Sequence, residues 1–291
     1  MPVMVVSPAR SRGFITLARV QKVLPAADPE MLTDLIADAS AAIVAFCDRE
    51  FAREAVTEEF AGDDRDVVLF SRTPIAGVTS IRDRNSVVNP SGYRVYDPGV
   101  GLVQRVGDLW RESRPTIPFI TSEVNVGRPG LLDYAADYLG GYLMPDDDLI
   151  SPDLAADATD NAFVGTDLPL LASGDNIYVA GFNDAANNGR HIVQSRTNTR
   201  IAVRSTLVTE SGTGQITLTC CTLPRDLQRA CLDTVVAWFN SQERDSAIVS
   251  EKIGDWSATY RGAANNDGNV AETGGLSQVV AARLARWRRL A

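Results

Sequence analysis

Two stretches decide how this chain is divided. "GGYLMPDDDLISP" runs from Gly140 to Pro152, and "TLPRDLQRACLDTVVAWF" runs from Thr222 to Phe239. The first looks like the end of a packed element: aromatic and small residues give way to Pro145, three aspartates and Pro152. The second reads as the start of a helix, with a proline at its opening. What lies between them sets the domain organisation.

Working forward from Ser151, residues 151–166 are acidic, alanine-rich and aperiodic, and they read as a linker. Beyond them Ile177, Val179, Ile192, Ile201, Val203, Leu207, Ile216 and Leu218 sit in alternating patterns, the period of half-buried strands. Asn188-Gly189 is a hairpin signal because both residues tolerate positive φ. Gly212 and Gly214 mark another turn. The gap is therefore predicted to hold an inserted β domain. The division is 1–150, 151–220 and 221–291.

Working backward, Thr16 is placed to cap a short helix over "LARVQKVL". Asp28 and Pro29 open a second, on which Leu32, Leu35, Ile36, Ala39, Ile43 and Phe46 form one apolar stripe. From Phe51 the period shortens. "REAVTEEFAG", "DVVLFSRTPI", "GVTSIRD", "GYRVYDPGVGLVQRV" and "PFITSEVNV" read as strands and hairpins. "LLDYAADYLGGYLMP" is read as a strand, since Gly140-Gly141 would weaken a helix. After Pro224 comes what reads as the longest helix, with Leu227, Ala230, Cys231, Thr234, Val235 and Trp238 on one stripe and Phe239 widening it. A helix apolar over so broad a face is buried on more than one side. "RGAANNDGNVAETGG" is a polar connector, and "LSQVVAARLARWRRLA" ends the chain as a basic amphipathic helix. The fold class expected is α+β: a helical core with antiparallel β-hairpins, plus an inserted small all-β domain.

Composition excludes several functions. No run is long and apolar enough to span a bilayer, so no membrane partner is expected. The formal net charge of −9 opposes general duplex binding, whose affinity comes from neutralising phosphates. Cys47, Cys220, Cys221 and Cys231 form no C-x-x-C pair, and His191 is the single histidine, which argues against zinc. No G-x-S-x-G, P-loop or dinucleotide fingerprint occurs. His191, in a predicted hairpin, reads as a surface or edge-strand residue. Asp146, Asp147 and Asp148 lack the spacing and glycine bend of a calcium loop. No catalytic residue, metal site or cofactor is expected, and the chain is read as a non-enzyme. The residues singled out for a partner interface are Trp238 and Phe239 on the long helix, and Arg283, Leu284, Arg286, Trp287, Arg288 and Arg289 in the tail. The tail stripe of Leu276, Val280, Leu284 and Trp287 has no evident home within the chain, so it is expected to order on a partner.

The order of these pieces resembles the head–tail connector, or adaptor, proteins of long-tailed bacteriophages. The "P-I-x-x-V-x-S-I" strand of that family matches Pro74, Ile75, Val78, Ser80 and Ile81. Its "G-Y-x-x-P" ending matches Gly141, Tyr142 and Pro145, and its "L-P-x-D-L-x-x-A" helix start matches Leu223, Pro224, Asp226, Leu227 and Ala230. The resemblance covers 14–148 and 222–262. It implies a virion neck protein, assembled in the host cytoplasm, that forms a ring of about twelve subunits under the portal. Its partners would be copies of itself, the portal protein and a neck or tail completion protein, with packaged DNA passing through the lumen without specific binding. In the family the tyrosine-rich ending and the proline-led helix are close neighbours; here residues 151–220 separate them. The alternative reading is a binding module whose β insert recognises a carbohydrate or receptor; sugar sites need exposed Trp or Tyr, and beyond residue 166 the insert offers only Tyr178 and Phe182.

Overall fold

The computed structural model describes residues 2–83, 86–111, 134–151, 153–212, 214–242, 250–253, 256–259 and 276–288. Within them the chain is mainly antiparallel sheet. It forms a five-stranded, a seven-stranded, a three-stranded and a two-stranded sheet, against four α-helices. The expected helical core is therefore corrected: helices form one compact unit, and most of the architecture is β. The reason is local. The two long helices carry strong 3.6-residue stripes, whereas many strands are three to five residues long and leave a weak signal.

Two compact units share the chain. One comprises residues 1–10, 52–143 and 149–220; the other comprises 11–51, 144–148 and 221–291. The first begins with β1 (Val3–Ser7), β2 (Glu54–Phe60), β3 (Val67–Leu69), β4 (Ile75–Asp83), β5 (Ser86–Val87), β6 (Tyr93–Asp97), β7 (Leu102–Arg105) and β8 (Tyr134–Gly140). The five-stranded sheet runs β1-β2-β8-β4-β5, and the three-stranded sheet runs β3-β7-β6. The expected strand "PFITSEVNV" lies outside the described residues.

β8 is the centre of the five-stranded sheet. It pairs antiparallel with β2 from Tyr134↔Phe60 to Gly140↔Glu54, and with β4 from Tyr134↔Asp83 to Gly140↔Ile75. Its alternation explains this. Tyr134, Ala136, Tyr138 and Gly140 are buried, while Ala135, Asp137 and Leu139 are half-buried on the other face. The buried face builds an aromatic core: Tyr138 stacks on Phe70 at 4.6 Å, Tyr134 on Phe60 at 5.2 Å, and Trp110 meets both Phe60 and Tyr134 edge-on. On the other face Asp137 accepts from Thr57 Oγ1 (2.6 Å), Ser80 Oγ (2.8 Å) and Arg82 Nη2 (3.1 Å).

The strand ends where the sequence places two glycines. A Cβ on Gly140 would lie 2.4 Å from the Arg72 carbonyl oxygen, and one on Gly141 would lie 2.4 Å from that of Ala52. Gly141 also sits at φ +105°. Only glycine permits this crossing.

The seven-stranded sheet comprises β9 (Leu149–Ser151), β10 (Ala155–Asp157), β11 (Ala162–Val164), β12 (Asn176–Ala180), β13 (Gly189–Arg196), β14 (Arg200–Val203) and β15 (Ile216–Thr219), in the order β10-β11-β14-β13-β12-β15-β9. Residues 151–166 are thus strand-bearing and not a linker. Alanine lines these strands because Ala156 and Ala162 are buried beside Phe163. Asn188-Gly189 is not a two-residue turn either. β12 and β13 are joined by residues 181–188, and Asn188 holds that loop by bonding Phe182 N and O and the Asp184 carbonyl, with Gly189 at φ +104°. The core of this sheet includes Phe163, Ile177, Val179, Val193, Ile201, Ile216 and Leu218.

The second unit holds α1 (Leu17–Gln21), α2 (Pro29–Cys47), α3 (Arg225–Gln242) and α4 (Gln278–Leu284). Thr16 and Asp28 cap α1 and α2 through side-chain oxygens, as their sequence positions predict. Among the described residues α2 has 19 residues and α3 has 18, with α3 followed at once by residues outside the described ones. The α2 stripe is buried through Leu32, Leu35, Ile36, Ala39 and Ile43, while Phe46 is half-buried. β16 (Ser250–Ile253) and β17 (Trp256–Thr259) form the two-stranded sheet.

Gly141→Ala should cost more than about 2 kcal/mol in urea unfolding, since left-handed strain and a backbone clash combine. Gly107→Ala, at φ +73° with open space around it, should cost only about 1 kcal/mol. Equal costs would mean the crossing of the two chain segments is not tight.

Candidate interaction surfaces

The eight residues proposed for a partner interface belong to the helical unit, and the structure gives them different positions. Leu284 is fully buried together with Leu276, Val280 and Ala281. The tail stripe therefore has a home within the chain's own helical unit, which removes the reason for expecting it to order only on a partner. Ser277 caps α4 by accepting from Val280 N. Trp287 is half-buried and lies edge-on to Phe51, 6.4 Å between centroids. Arg283 Nη1 reaches Asp233 at 2.9 Å, and Asp233 also takes Arg229 at 2.8 Å, one turn away on α3. Arg286 pairs with Asp226, and Arg288 lies over the Phe46 ring at 5.1 Å. Three of the four tail arginines are thus held by this unit's own acids and rings. Arg289 lies outside the described residues. Trp238 and Phe239 are half-buried on α3.

α3 is tied into the unit by polar contacts that sequence periodicity does not reveal. Arg19 bonds Gln228 Oε1, and Gln228 Nε2 donates to the Leu223 carbonyl at 2.9 Å. Ser40 Oγ donates to Ile36 O, accepts from Phe14 N at 3.2 Å, and lies 3.7 Å from Cys231 Sγ. Burial pushes the Cys231 thiol up to about 12 and the Cys47 thiol up to about 11, so both are inert apolar groups at neutral pH.

One contact bears on the question raised by the two opening stretches. Met144–Asp148 and the segment from Cys221 onward belong to the same unit. Cys221 N donates to Asp148 Oδ1 at 3.0 Å. Between them the chain leaves along β9 and returns along β15, which pair as Leu149↔Leu218, Ile150↔Thr217 and Ser151↔Ile216. The insert therefore departs and returns at one place through an antiparallel stem. The aspartate run has local structural work: Asp147 Oδ2 accepts from Met144 N at 2.6 Å, and Asp146 accepts from Ser11 Oγ. Among the described residues no group of acids, histidine and cysteine has metal-binding geometry.

A groove of about 510 Å³ lies within the helical unit, between the Ser11–Gly13 loop and the face of α2 bearing Ala37, Ala41 and Val44. Its lining mixes small apolar residues of α2 with polar ones, Arg12, Glu50 and Asp146 among them.

His191 is buried at 3% exposure, which corrects its reading as a surface residue. Its Nε2 faces the Asn187 carbonyl at 3.2 Å, so that nitrogen carries the proton and Nδ1 accepts from Ser205 Oγ at 2.6 Å. Its ring lies edge-on to Phe163. Neighbouring Asn187 is held in turn by Glu210 and by the Val208 carbonyl. The pair fastens the 181–188 loop to residues 204–209. In the insert Phe182 and Phe163 are buried and Tyr178 is 56% exposed, which leaves one exposed aromatic among the described residues there.

Glu58, like Glu54, is fully buried, at 0% exposure. It accepts from Ser71 N and from Tyr138 Oη, and Tyr138 Oη accepts from Arg72 N. Burial, and then the Glu58 charge, push the Tyr138 hydroxyl well above its ordinary range. This clasp fixes the loop that leads into the Pro74-Ile75 strand.

No protein-family model matches the chain, and no curated protein matches it. Among solved structures the chain is similar to a chain from the neck of an empty GTA particle computed with C6 symmetry. The two share 17% identity at a TM-score of 0.36, over 50% of this chain and 77% of that one.

Burial lowers the His191 pKa. The unfolded chain therefore binds its proton more readily, and stability is lost as pH falls below the unfolded value of about 6.5. Thermal melts should show a drop between about pH 7.5 and pH 5 that shrinks in His191→Gln. An unchanged drop in that variant would assign it to other groups. Leu284→Ala should cost about 2–5 kcal/mol, and removing residues 276–291 should destabilise the helical unit rather than leave it unchanged. Unaltered unfolding of the truncated chain would mean that the docked tail contributes nothing.

Proposed function

We propose that this chain is a structural component of a virion neck, a head–tail connector that forms a ring under the portal, extends the DNA channel and docks the next neck or tail protein. The observation that carries the reading is the closure at Asp148 and Cys221. The sequence departs from the connector pattern by separating its "G-Y-x-x-P" ending from its "L-P-x-D-L" helix. The stem of β9 and β15 returns the chain beside its point of departure, so that Pro145 of the ending and the proline-led helix belong to one unit. The matched residues also fall at joints of the fold. Pro74 and Ile75 open β4, Gly141 ends β8, and Pro224 accepts from the first turn of α3. No chemistry is asked of such a part. The acidic balance suits a wall past which DNA slides, because like charges do not hold phosphates.

The half-buried Trp238 and Phe239 on α3 are the surface proposed to meet the adjacent subunit in the ring. The chain added to DNA-filled heads that lack it should give a ring of density beneath the portal by electron microscopy. Trp238→Ala should abolish that density while leaving the circular dichroism of the free chain unchanged. Heads that bind no chain at any concentration would contradict the neck assignment. Normal rings from the variant would exclude the α3 surface alone.

Deleting 149–220 and bridging Asp148 to Cys221 with a short Gly-Ser linker should leave the helical signal and cooperative unfolding of the 11–51/221–291 unit. Arg53 then loses its Asp175 and Leu170 partners, so some loss of stability is expected in the remaining sheet. Global unfolding of this variant would show that the insert is not separable.

A further inference from the structure

β1 is an edge of the five-stranded sheet; Pro2 precedes it and its register shifts beyond Val5, but the stretch between is not blunted among the described residues. Among the described residues no strand pairs with its outer side. Its sequence, Val3-Met4-Val5-Val6-Ser7, has no charge and no internal proline. Met4 is 62% and Val6 60% exposed. Val5 is the more telling residue. It lies in one cross-strand row with Val56, Tyr138 and Val78, on the face that builds the aromatic core. Val56 and Tyr138 are buried, yet Val5 is 38% exposed. The inward-facing row runs out one strand too early.

The ladder shows which backbone groups are unpaired. Glu59 N donates to the Pro2 carbonyl, and Val3 stands opposite Glu58. In an antiparallel pair, bonded and non-bonded positions alternate, so Pro2 and Met4 face β2 while the N–H and C=O of Val3 and Val5 face outward. The strand is regular through Val5, and its register shifts only beyond that residue.

We propose that the free chain pairs with a second copy of itself through β1, antiparallel, about a two-fold axis at Met4. Val3 of each copy then faces Val5 of the other in bonded pairs, with the two Met4 side chains adjacent across the axis. The parity is met on both sides: every outward N–H and C=O of Val3 and Val5 gains a partner. Each copy's Val3 extends the exposed row that ends at the other's Val5. Charge selects this place for self-contact, because each copy carries −9 and β1 meets its mate with no like charges opposed. The contact is isologous and closes at two. It therefore differs from the head-to-tail contacts of the proposed ring, and it describes the chain before it enters a neck.

Sedimentation equilibrium of the full chain should give a dimer that dissociates on dilution. Met4→Glu, at an exposed site, places two carboxylates across the axis and should yield a monomer with an unaltered melt. Val5→Pro removes an outward donor but no bond to β2, and it should also lose the dimer, whereas Val5→Thr should keep it. A monomeric wild-type chain at high concentration, or a dimer indifferent to Met4→Glu, overturns the proposal even if Val5→Pro fails to fold. Met4→Glu should still decorate DNA-filled heads. Neck density without any free dimer defeats this pairing alone, and a β1 dimer without neck density defeats the neck reading alone.

Discussion

The point on which the β architecture depends is the crossing at Gly140-Gly141. There the end of β8 passes close to two other segments. Gly141 N donates to the Pro74 carbonyl at 2.9 Å, Arg53 N donates to Tyr142 O at 2.8 Å, and Arg53 Nε donates to Gly141 O at 3.2 Å. Ala52 and Tyr142 form an isolated parallel bridge beside them. A side chain at either glycine would occupy space already held by the Arg72 or Ala52 carbonyl. The two-sided pairing of β8, the entry into β4 and the start of β2 are all fixed at this place. Arg53 carries the same constraint into the insert: at 5% exposure it bonds Asp175 at 2.5 Å as well as the Leu170 carbonyl. A buried arginine so fully bonded holds one geometry, since losing any partner leaves a desolvated charge.

The insert follows from that constraint. With β8 ended at Gly140, the chain makes one short turn through Met144–Asp148, which belongs to the helical unit, and then leaves as β9. Because β9 pairs with β15, the returning chain arrives beside the departing one, and Asp148 receives the Cys221 amide. Seventy-odd residues are thereby added at little topological cost, since loop closure grows only with the logarithm of loop length.

Much of this was legible in the sequence where a residue's chemistry acts locally. Thr16, Asp28 and Pro29 marked helix starts because capping is a short-range effect, and β8 was readable because its two glycines oppose a helix. The apolar stripes of α2 and α3 were visible for the same reason, but their strength led to a helical core being expected where sheets dominate. The strands at 149–164 were missed because buried alanines mimic a linker when the large partner, Phe163, is a single residue. His191 was misplaced because its burial depends on Ser205 and Asn187, one of them 14 residues away in sequence. The docking of Trp287 and Arg283 rests on Phe51 and Asp233, contacts that no periodicity encodes. Of the surfaces proposed for partners, the α3 pair kept its partial exposure, whereas the tail became part of the fold.

Native-state hydrogen exchange tests the central claim most directly. If the β8 crossing organises the sheet, the amides of Arg53, Gly141 and the inner β8 residues exchange only by global unfolding of that unit. They should then be slower than those of the three-stranded sheet and of edge strand β5. If the β8 and Gly141 amides instead exchange as fast as those of β5, through local opening, the crossing is not the constraint that holds the structure together.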